Sequence, residues 1–376
     1  MAESFEQLAS ELARLFSSGV EQPWGEETFD RWAVRVFRWQ FEHNAAFRGY
    51  CTRHHATPES VHRWEQVPPV PTTAFKHLRL LSLEERQEPE VVFRTSGTTR
   101  GGGRRGEHPV ASLALYRASL LPCFRAHLLS DGAELPVLAV LPSPRQAPDS
   151  SLSHMMEAAM AKLGAAGGGW FAGPDGAPQS ERLLEALHAA VAEGRPVLLA
   201  ATAFTLMRWL DELDHGGVWL RLPEGSRLME TGGFKGRVRT ASREELYGRI
   251  RTRLGIPPER VVNEYGMTEL LSQFYEPVLT RHAVAARPLA ARFHVAPPWV
   301  GTRVLDPVSL KGMPEGRTGL LCHYDLANLG SVACVLTEDL GMVIEDGIRV
   351  QGRIAGAEPR GCSLATEELL DAQHEA

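Results

Sequence analysis

The sequence predicts an α/β protein: mostly parallel sheets flanked by helices, plus a small β subdomain. Three observations predict it. From about residue 90, apolar runs of strand length alternate with helical patterns. Those runs are apolar throughout, as in strands buried on both faces. After about residue 290 the helical periodicity fades into short strands separated by tight turns.

The N-terminal stretch, residues 1–88, reads as a helical segment packed on the core. Ser4 with Gln7 forms a capping-box pattern, and Phe5, Leu8, Leu12 and Leu15 share one helical face before Gly19. A second helix starts near Glu27 and carries Phe29, Trp32, Val36, Trp39 and Phe41, a core-facing pattern rather than an aromatic binding box. The proline-rich VPPVPTTAF, 67–75, reads as an extended linker into the next unit. Residues 89–290 form the α/β core. LPVLAVLPS, WFA, PVLLAAT, SRLME and RVV are its strands, with helices such as SHMMEAAMAKLG and SERLLEALHAAVAEG between them. Residues 291–354 form the β subdomain, and 355–376 a tail containing the short helix ATEELLDAQ.

Composition narrows the function classes. Of 376 residues, 43% are hydrophobic and 23% charged, the balance of a globular protein with a real core. The net charge of −6 gives no basic footprint for nucleic acid or an anionic membrane. The N-terminus lacks the basic and apolar regions of a signal peptide, and no apolar run is long enough to span a bilayer. The five cysteines are scattered with no CxxC pair, so reduced thiols and a cytoplasmic location are expected. Cys322 and Cys334 sit in apolar strand-like runs and read as core.

Three loops that follow strand-like runs carry the polar chemistry. FRTSGTTRGGGRRG, 93–106, follows Val91 and Val92; TGGFKG, 231–236, follows SRLME; NEYGMTE, 263–269, follows RVV. The first is neither GxxxxGK[ST] nor GxGxxG. Its glycines still let backbone N–H groups converge, and Thr95, Ser96, Thr98, Thr99 and the arginines supply donors and charge for phosphate. Alone, it reads equally well as a flexible surface loop.

TSGTT followed much later by YGMTE resembles the adenylate-forming superfamily of acyl and aryl ligases. VPTTAFKH, FRTSGTT, TGGFKG, YGMTELLSQFY, LTEDLG and GRIAGAEPRGCSL together resemble its acyl-protein synthetase (long-chain fatty acid–protein ligase) family of luciferin-aldehyde systems, over nearly the whole chain. The resemblance implies a large-domain adenylate-forming fold in which ATP, Mg²⁺ and a carboxylic acid give acyl-adenylate and pyrophosphate. It implies that Thr95, Ser96, Gly97, Thr98, Thr99 and Arg100 cradle the β- and γ-phosphates. Gly232 and Gly233 would flank adenine, and Tyr265 with Gly266 would lie at the base. Thr268 would touch the α-phosphate and Glu269 would help to hold Mg²⁺. Asp339 would bind ribose, with Arg353 following it, and His154 would lie beside the acyl site. A structural role stands beside each of these: Tyr265 as core packing, Asp339 as a turn cap, His154 as an ordinary helix-face residue. Cation and donor clamps suit the chemistry, because a carboxylate approaching phosphorus brings negative charge onto negative charge.

The sequence departs from the superfamily twice. Arg100 to Gly106 replaces the usual run of glycine, proline and lysine, with Arg100, Arg104 and Arg105 as the available cations. The catalytic lysine of a C-terminal small domain is missing, the domain being absent or minimal, and Lys235 is a candidate substitute. Cys362, beside Arg360 and just before the expected helix start, is the candidate acyl acceptor implied by the family, with an ordinary buried cysteine as the other reading. Three functions follow. The first is adenylation of a carboxylic acid, a fatty acid by resemblance, with transfer through Cys362 to an acyl-transferase and acyl reductase system. The second is the same activation with CoA, a carrier-protein thiol or an amine as acceptor. The third is a non-catalytic nucleotide-binding subunit.

Overall fold

The computed structural model describes residues 3–96, 104–232, 242–354 and 360–375. Its elements in chain order are α1 (Phe5–Phe16), α2 (Glu26–His43), α3 (Ala45–Arg53), β1 (Val70–Pro71), β2 (Val91–Arg94), β3 (Glu107–Val110) and α4 (Leu113–Leu128). Then come β4 (Val137–Val140), α5 (Ser151–Leu163), β5 (Gly169–Trp170), α6 (Ser180–Ala192), β6 (Leu198–Thr202), α7 (Ala203–His215), β7 (Arg227–Thr231), α8 (Arg243–Leu254) and β8 (Val261–Tyr265). The chain finishes with β9 (Phe274–Tyr275), α9 (His282–Ala285), β10 (Val300–Leu305), β11 (Gly319–Asp325), β12 (Cys334–Ile344), β13 (Gly347–Arg353) and α10 (Arg360–Glu375).

Two compact units emerge, the first from Met1–Pro122, Met267–Gln273 and Ala296–Ala376, the second from Cys123–Gly266 and Phe274–Val295. These boundaries differ from those of the contiguous segments 1–88, 89–290, 291–354 and 355–376. Long-range strand pairing, which leaves no local mark in composition, joins early and late chain in one unit.

In the second unit the strand order is β5-β4-β6-β7-β8-β9, with β4 to β8 mutually parallel and β9 antiparallel at the edge. VLAV in β4 is buried at every position, which is why these runs do not alternate. Leu183 and Leu187 of α6, Leu206, Trp209 and Leu210 of α7, and Leu246 and Ile250 of α8 complete the core with Leu199 and Leu228. Helix starts follow the sequence locally. Ser150, Thr202 and Ser242 each accept a hydrogen bond from the backbone N–H three residues on.

In the first unit β1-β12-β11-β10 form a sheet, with β13 also on β12. The linker expectation for 67–75 is corrected: Val70 and Pro71 pair in parallel with Val335 and Leu336, and Val70, Ala74 and Phe75 are buried. Within the segment a two-residue strand enters a sheet supplied by the distant β12, and a 3-10 turn, Thr72–Lys76, follows it. Ser4 caps α1 by accepting from Gln7 N, but the Gln7 side chain donates to Glu11, so only half of the capping box forms. Phe16 of α1 stacks on Trp299 at 4.5 Å between ring centroids. In α2, Gln40 is buried, donating to the Asn328 carbonyl and accepting from Ala333 N.

Helix α10 packs on α3, where a Cβ at Gly49 would lie 2.9 Å from that of Ala372. Gly49→Val therefore lowers stability by about 1–3 kcal/mol through overpacking. By contrast, Gly248→Ala in α8, where a Cβ meets nothing within 4 Å, raises it by about 0.5–1 kcal/mol through helix propensity. Denaturant unfolding of the two variants checks the opposite signs.

Candidate functional site

The YGMTE motif begins as the end of β8 and continues into the loop Met267–Gln273 of the first unit. Side chains brought from elsewhere in that unit hold the loop by its backbone. The carboxylate of Asp325 accepts from Leu271 N at 3.0 Å, Ser272 N at 2.8 Å and Ser272 Oγ at 2.7 Å. Asn328 accepts from Leu271 N through Oδ1 at 3.1 Å and donates through Nδ2 to the Glu269 carbonyl at 2.8 Å. His108 of β3 meets the Thr268 carbonyl through Nδ1 at 2.7 Å. A carbonyl only accepts, so this ring nitrogen carries the proton. Burial pushes the Asp325 pKa up to about 6 despite its four donors.

Two of the sequence-predicted residues, Asp339 and Arg353, come together in this unit, and their charges reach a third, Glu269. Arg353 Nε lies 3.7 Å from Asp339 Oδ1, and its Nη1 lies 3.7 Å from Glu338 Oε2. The Glu269 carboxyl is buried, and burial raises its pKa to about 7, opposed by the charge of Arg353 and aided by those of Glu338 and Asp339. The β12–β13 ladder creates the meeting by setting Asp339 directly opposite Arg353. Thr268, half-buried, sits immediately before Glu269.

The glycine-rich stretch connects β2 and β3 in sequence, an antiparallel pair whose register sets Arg94 opposite Glu107. At its base Thr95 N donates to the Gly106 carbonyl at 3.0 Å, and Gly106 N donates to Thr95 Oγ1 at 2.9 Å. Arg105 closes the same base, donating to the carbonyls of Thr95 and Arg94. Ser96 is exposed. Gly97, Thr98, Thr99 and Arg100 lie outside the described residues, as do Gly233 and Lys235 of TGGFKG.

In the second unit, β7 and β8 place polar pairs at their carboxyl ends, where ligands gather in parallel sheets. Thr231 stands opposite Glu264 and its hydroxyl donates to that carboxylate. Burial raises the Glu264 pKa to about 7. Gly232 follows with φ +75, a backbone state that favours glycine. At Gly266 a side chain would collide with the Glu264 carboxylate. Tyr265 is half-buried, edge-on to Phe274 at 5.5 Å. On the other face Glu230 accepts from Tyr247 at 2.9 Å and Asn263 at 2.6 Å, and Asn263 Oδ1 accepts from His294 Nε2 at 2.6 Å. His154 lies half-buried on α5 with Nε2 3.0 Å from the Pro148 carbonyl, a local contact at the start of the helix.

Cys362 departs from its expected setting. The helix includes it: α10 runs from Arg360, and the thiol is buried at 1% exposure in the first turn. The helix extends further back than ATEELLDAQ: it packs on α3, on β1 and on the turn Thr72–Lys76, and Cys362, Ala365, Leu369 and Ala372 are buried. Cys322 and Cys334 are core residues, with sulfurs 3.7 Å apart.

The sequence reading missed His108, Asp325 and Asn328. A signal existed for each: a histidine in the apolar run directly after the glycine loop, and polar residues inside YDLANLG, an otherwise apolar stretch. Among the described residues no group of three or more His, Cys, Asp or Glu side chains is arranged to hold a metal ion, and no helix is long and apolar enough to cross a membrane.

Comparison with known proteins bears on the family and the fold. The family model described as acyl-protein synthetase, LuxE, matches residues 177–371, more than half of the chain. A long-chain-fatty-acid–luciferin-component ligase of Vibrio harveyi is 21% identical over 98% of this chain and 96% of its own length. The protein of the same name from Aliivibrio fischeri is 20% identical over 96% and 95% respectively. Among solved structures, an open conformation of a 2-hydroxyisobutyryl-CoA ligase, in complex with 2-HIB-AMP and CoA, aligns with a TM-score of 0.61. It covers 88% of this chain and 75% of that one at 16% identity. The same ligase in its thioesterification state gives 0.61 at 17% identity. At these identities the structural likeness establishes the fold, that of adenylate-forming ligases.

Two outcomes follow from the site's electrostatics. Asp325→Ala strands the N–H groups of Ser272 and Ala327 in the core, Leu271 N keeping Asn328 Oδ1, and costs about 2–4 kcal/mol, read as a lowered denaturation midpoint. Glu264 has a folded pKa near 7, raised from 4.5, so the fold retains a proton that the unfolded chain releases. That contribution to stability is complete below about pH 4.5 and lost as pH rises through 7. Glu264→Gln lacks the loss. Its stability relative to wild type therefore increases from pH 4.5 to 8, by about 3 kcal/mol at most, measured by unfolding across that range.

Proposed function

Because the chain belongs to the acyl-protein synthetase, LuxE, family, we propose that it activates a carboxylic acid with ATP and passes the acyl group through a cysteine thioester to a partner. The observation that carries the proposal is the pairing of Asp339 with Arg353, whose charges reach the buried Glu269 next to Thr268; the family resemblance assigns these residues to one nucleotide, and the chain separates them widely.

In this reading Thr95, Ser96, Gly97, Thr98, Thr99 and Arg100 hold the β- and γ-phosphates, and Thr268 donates to the α-phosphate. Gly232, Gly233, Tyr265 and Gly266 line the base, Asp339 accepts from the ribose hydroxyls, and Arg353 steadies Asp339. The acid's carboxylate oxygen bonds to the α-phosphorus while the bond to pyrophosphate breaks. Mg²⁺, when bound, neutralises phosphate charge. The buried Glu269 carboxyl suits such an ion, since a nearby cation would offset the cost of ionising it, with phosphate oxygens and water completing the shell. Lys235 and His154 serve respectively as the cation in place of the superfamily's catalytic lysine and as a wall of the acyl site.

In the second half-reaction the Cys362 thiolate bonds to the acyl carbon and AMP leaves. The thiol is buried, so acylation requires the start of α10 to turn it outward. The curated relatives are named for long-chain fatty acids and a luciferin component, which makes fatty acids the first substrates to try. An acyl-transferase, an acyl reductase or a carrier protein would be the partner, in the cytoplasm, where the five cysteines stay reduced.

The test is ATP–pyrophosphate exchange over fatty, aryl and amino acids, on wild type and Cys362→Ala. Exchange in both, with labelled acyl group held covalently only by wild type, is expected. Equal labelling of the two proteins would move the acceptor away from Cys362, and no exchange with any acid would overturn adenylation.

A further inference from the structure

Two sequence signatures, the glycine-rich hairpin and the YGMTE loop, are separated by some 160 residues yet meet through one side chain. His108 lies on β3, paired with Phe93 in β2, the strand that precedes the glycine-rich stretch in sequence. It is 1% exposed. Its Nδ1–H donates to the Thr268 carbonyl at 2.7 Å, and its Nε2 is buried with no hydrogen-bond partner among the described residues. The ring packs edge-on against Phe75 at 5.5 Å, and Phe75 also backs Gly106 at the hairpin base.

Leaving a ring nitrogen unpaired in the core costs free energy. A residue selected only for packing would be satisfied more cheaply by an apolar side chain. What histidine adds here is a rigid donor reaching one carbonyl, that of the residue proposed to touch the α-phosphate. Asn328 and Asp325 fix the loop from Glu269 onward. Of the hydrogen bonds to the loop from β2 and β3, His108 supplies the one at Thr268 itself. We propose that His108 is a positioning residue for adenylation, fixing the Thr268 backbone against the hairpin that carries the phosphate-binding loop. The inference rests on the adenylation reading above and deepens it. His108 acts through Thr268 and touches no substrate. Burial holds the ring neutral, its pKa lowered to about 4, so the donor is the same across the physiological range.

The test uses asparagine, whose amide nitrogen takes the place of Nδ1, and leucine, nearly the same shape without a donor. In the full-length protein, pyrophosphate exchange by His108→Leu should lose about 10–100-fold in kcat with the ATP KM within about threefold, the size expected from a displaced reacting group. His108→Asn should recover most of that loss, and the thermal midpoints of the two variants should agree to within a few degrees. Nitrogen-15 NMR of imidazole-labelled wild type should contain a neutral Nδ1–H signal, unchanged from pH 5.5 to 8 and absent from both variants. Equal kcat in the two variants, a loss confined to KM, or absence of that signal would overturn the positioning role. If His108→Leu does not fold, His108→Asn decides: retention of near wild-type kcat supports the proposal, and a loss as large as 10-fold opposes it. Wild type silent with every acid would instead overturn adenylation, an outcome separate from the variant comparison.

Discussion

A carboxylate buried with no cation paired to it among the described residues is the constraint on which the first unit's site depends. Asp325 is fully enclosed and would be costly there, yet the loop donors at Leu271 and Ser272, together with Ala327 N, turn that cost into geometry. Ser272 N and Ala327 N have their acceptor in this carboxylate, while Leu271 N is shared with Asn328. The bend after β11 and the loop carrying Thr268 and Glu269 therefore adopt their shapes together. Asn328 extends the tie, and Gln40, by donating to the Asn328 carbonyl, connects α2 to the same loop. The aromatic helix that looks like simple core packing thus helps to hold the backbone of a catalytic candidate in place.

The second unit solves a related problem at the ends of its strands. β7 and β8 run apolar and buried until their last residues, where carboxylates and amides appear in register: Glu230 beside Asn263, Thr231 beside Glu264. Each pair is internally satisfied, which lets a polar rim crown an apolar sheet. Raised pKa values at Glu230, Glu264 and Glu276 record the cost, desolvation being the largest cause in each.

Much of this was legible in the sequence where the signal was local. The strands LPVLAVLPS, PVLLAAT and SRLME and their intervening helices fall where the apolar runs place them, because a doubly buried strand needs no partner to be recognised. Asp339 and Arg353 could be singled out by motif, and the ladder sets them opposite each other. What the sequence hid was pairing at a distance. VPPVPTTAF looks like a linker until β12 is known, and Asp325 and Asn328 look like turn residues until the loop they serve is known. Cys362 was expected near a helix start with its thiol favoured as thiolate. It stands in the first turn of α10, but the tertiary packing of that helix, invisible in composition, buries the thiol.

The discontinuous make-up of the first unit has a consequence for how the protein comes into being. Its loop at Met267–Gln273 is shaped by Asp325 and Asn328, and Val70 finds its partner only at Val335. During synthesis the YGMTE segment emerges from the ribosome well before the groups that give it form. The nascent chain must then hold apolar β1 and the loop unpaired until the last strands arrive. Contacts so distant in sequence are slow to close and exposed to misassociation meanwhile. The second unit is nearly contiguous and built from neighbouring strand–helix pairs, so it can fold first. The competence of the site is thereby a late event in the life of each molecule, set by translation of its final quarter.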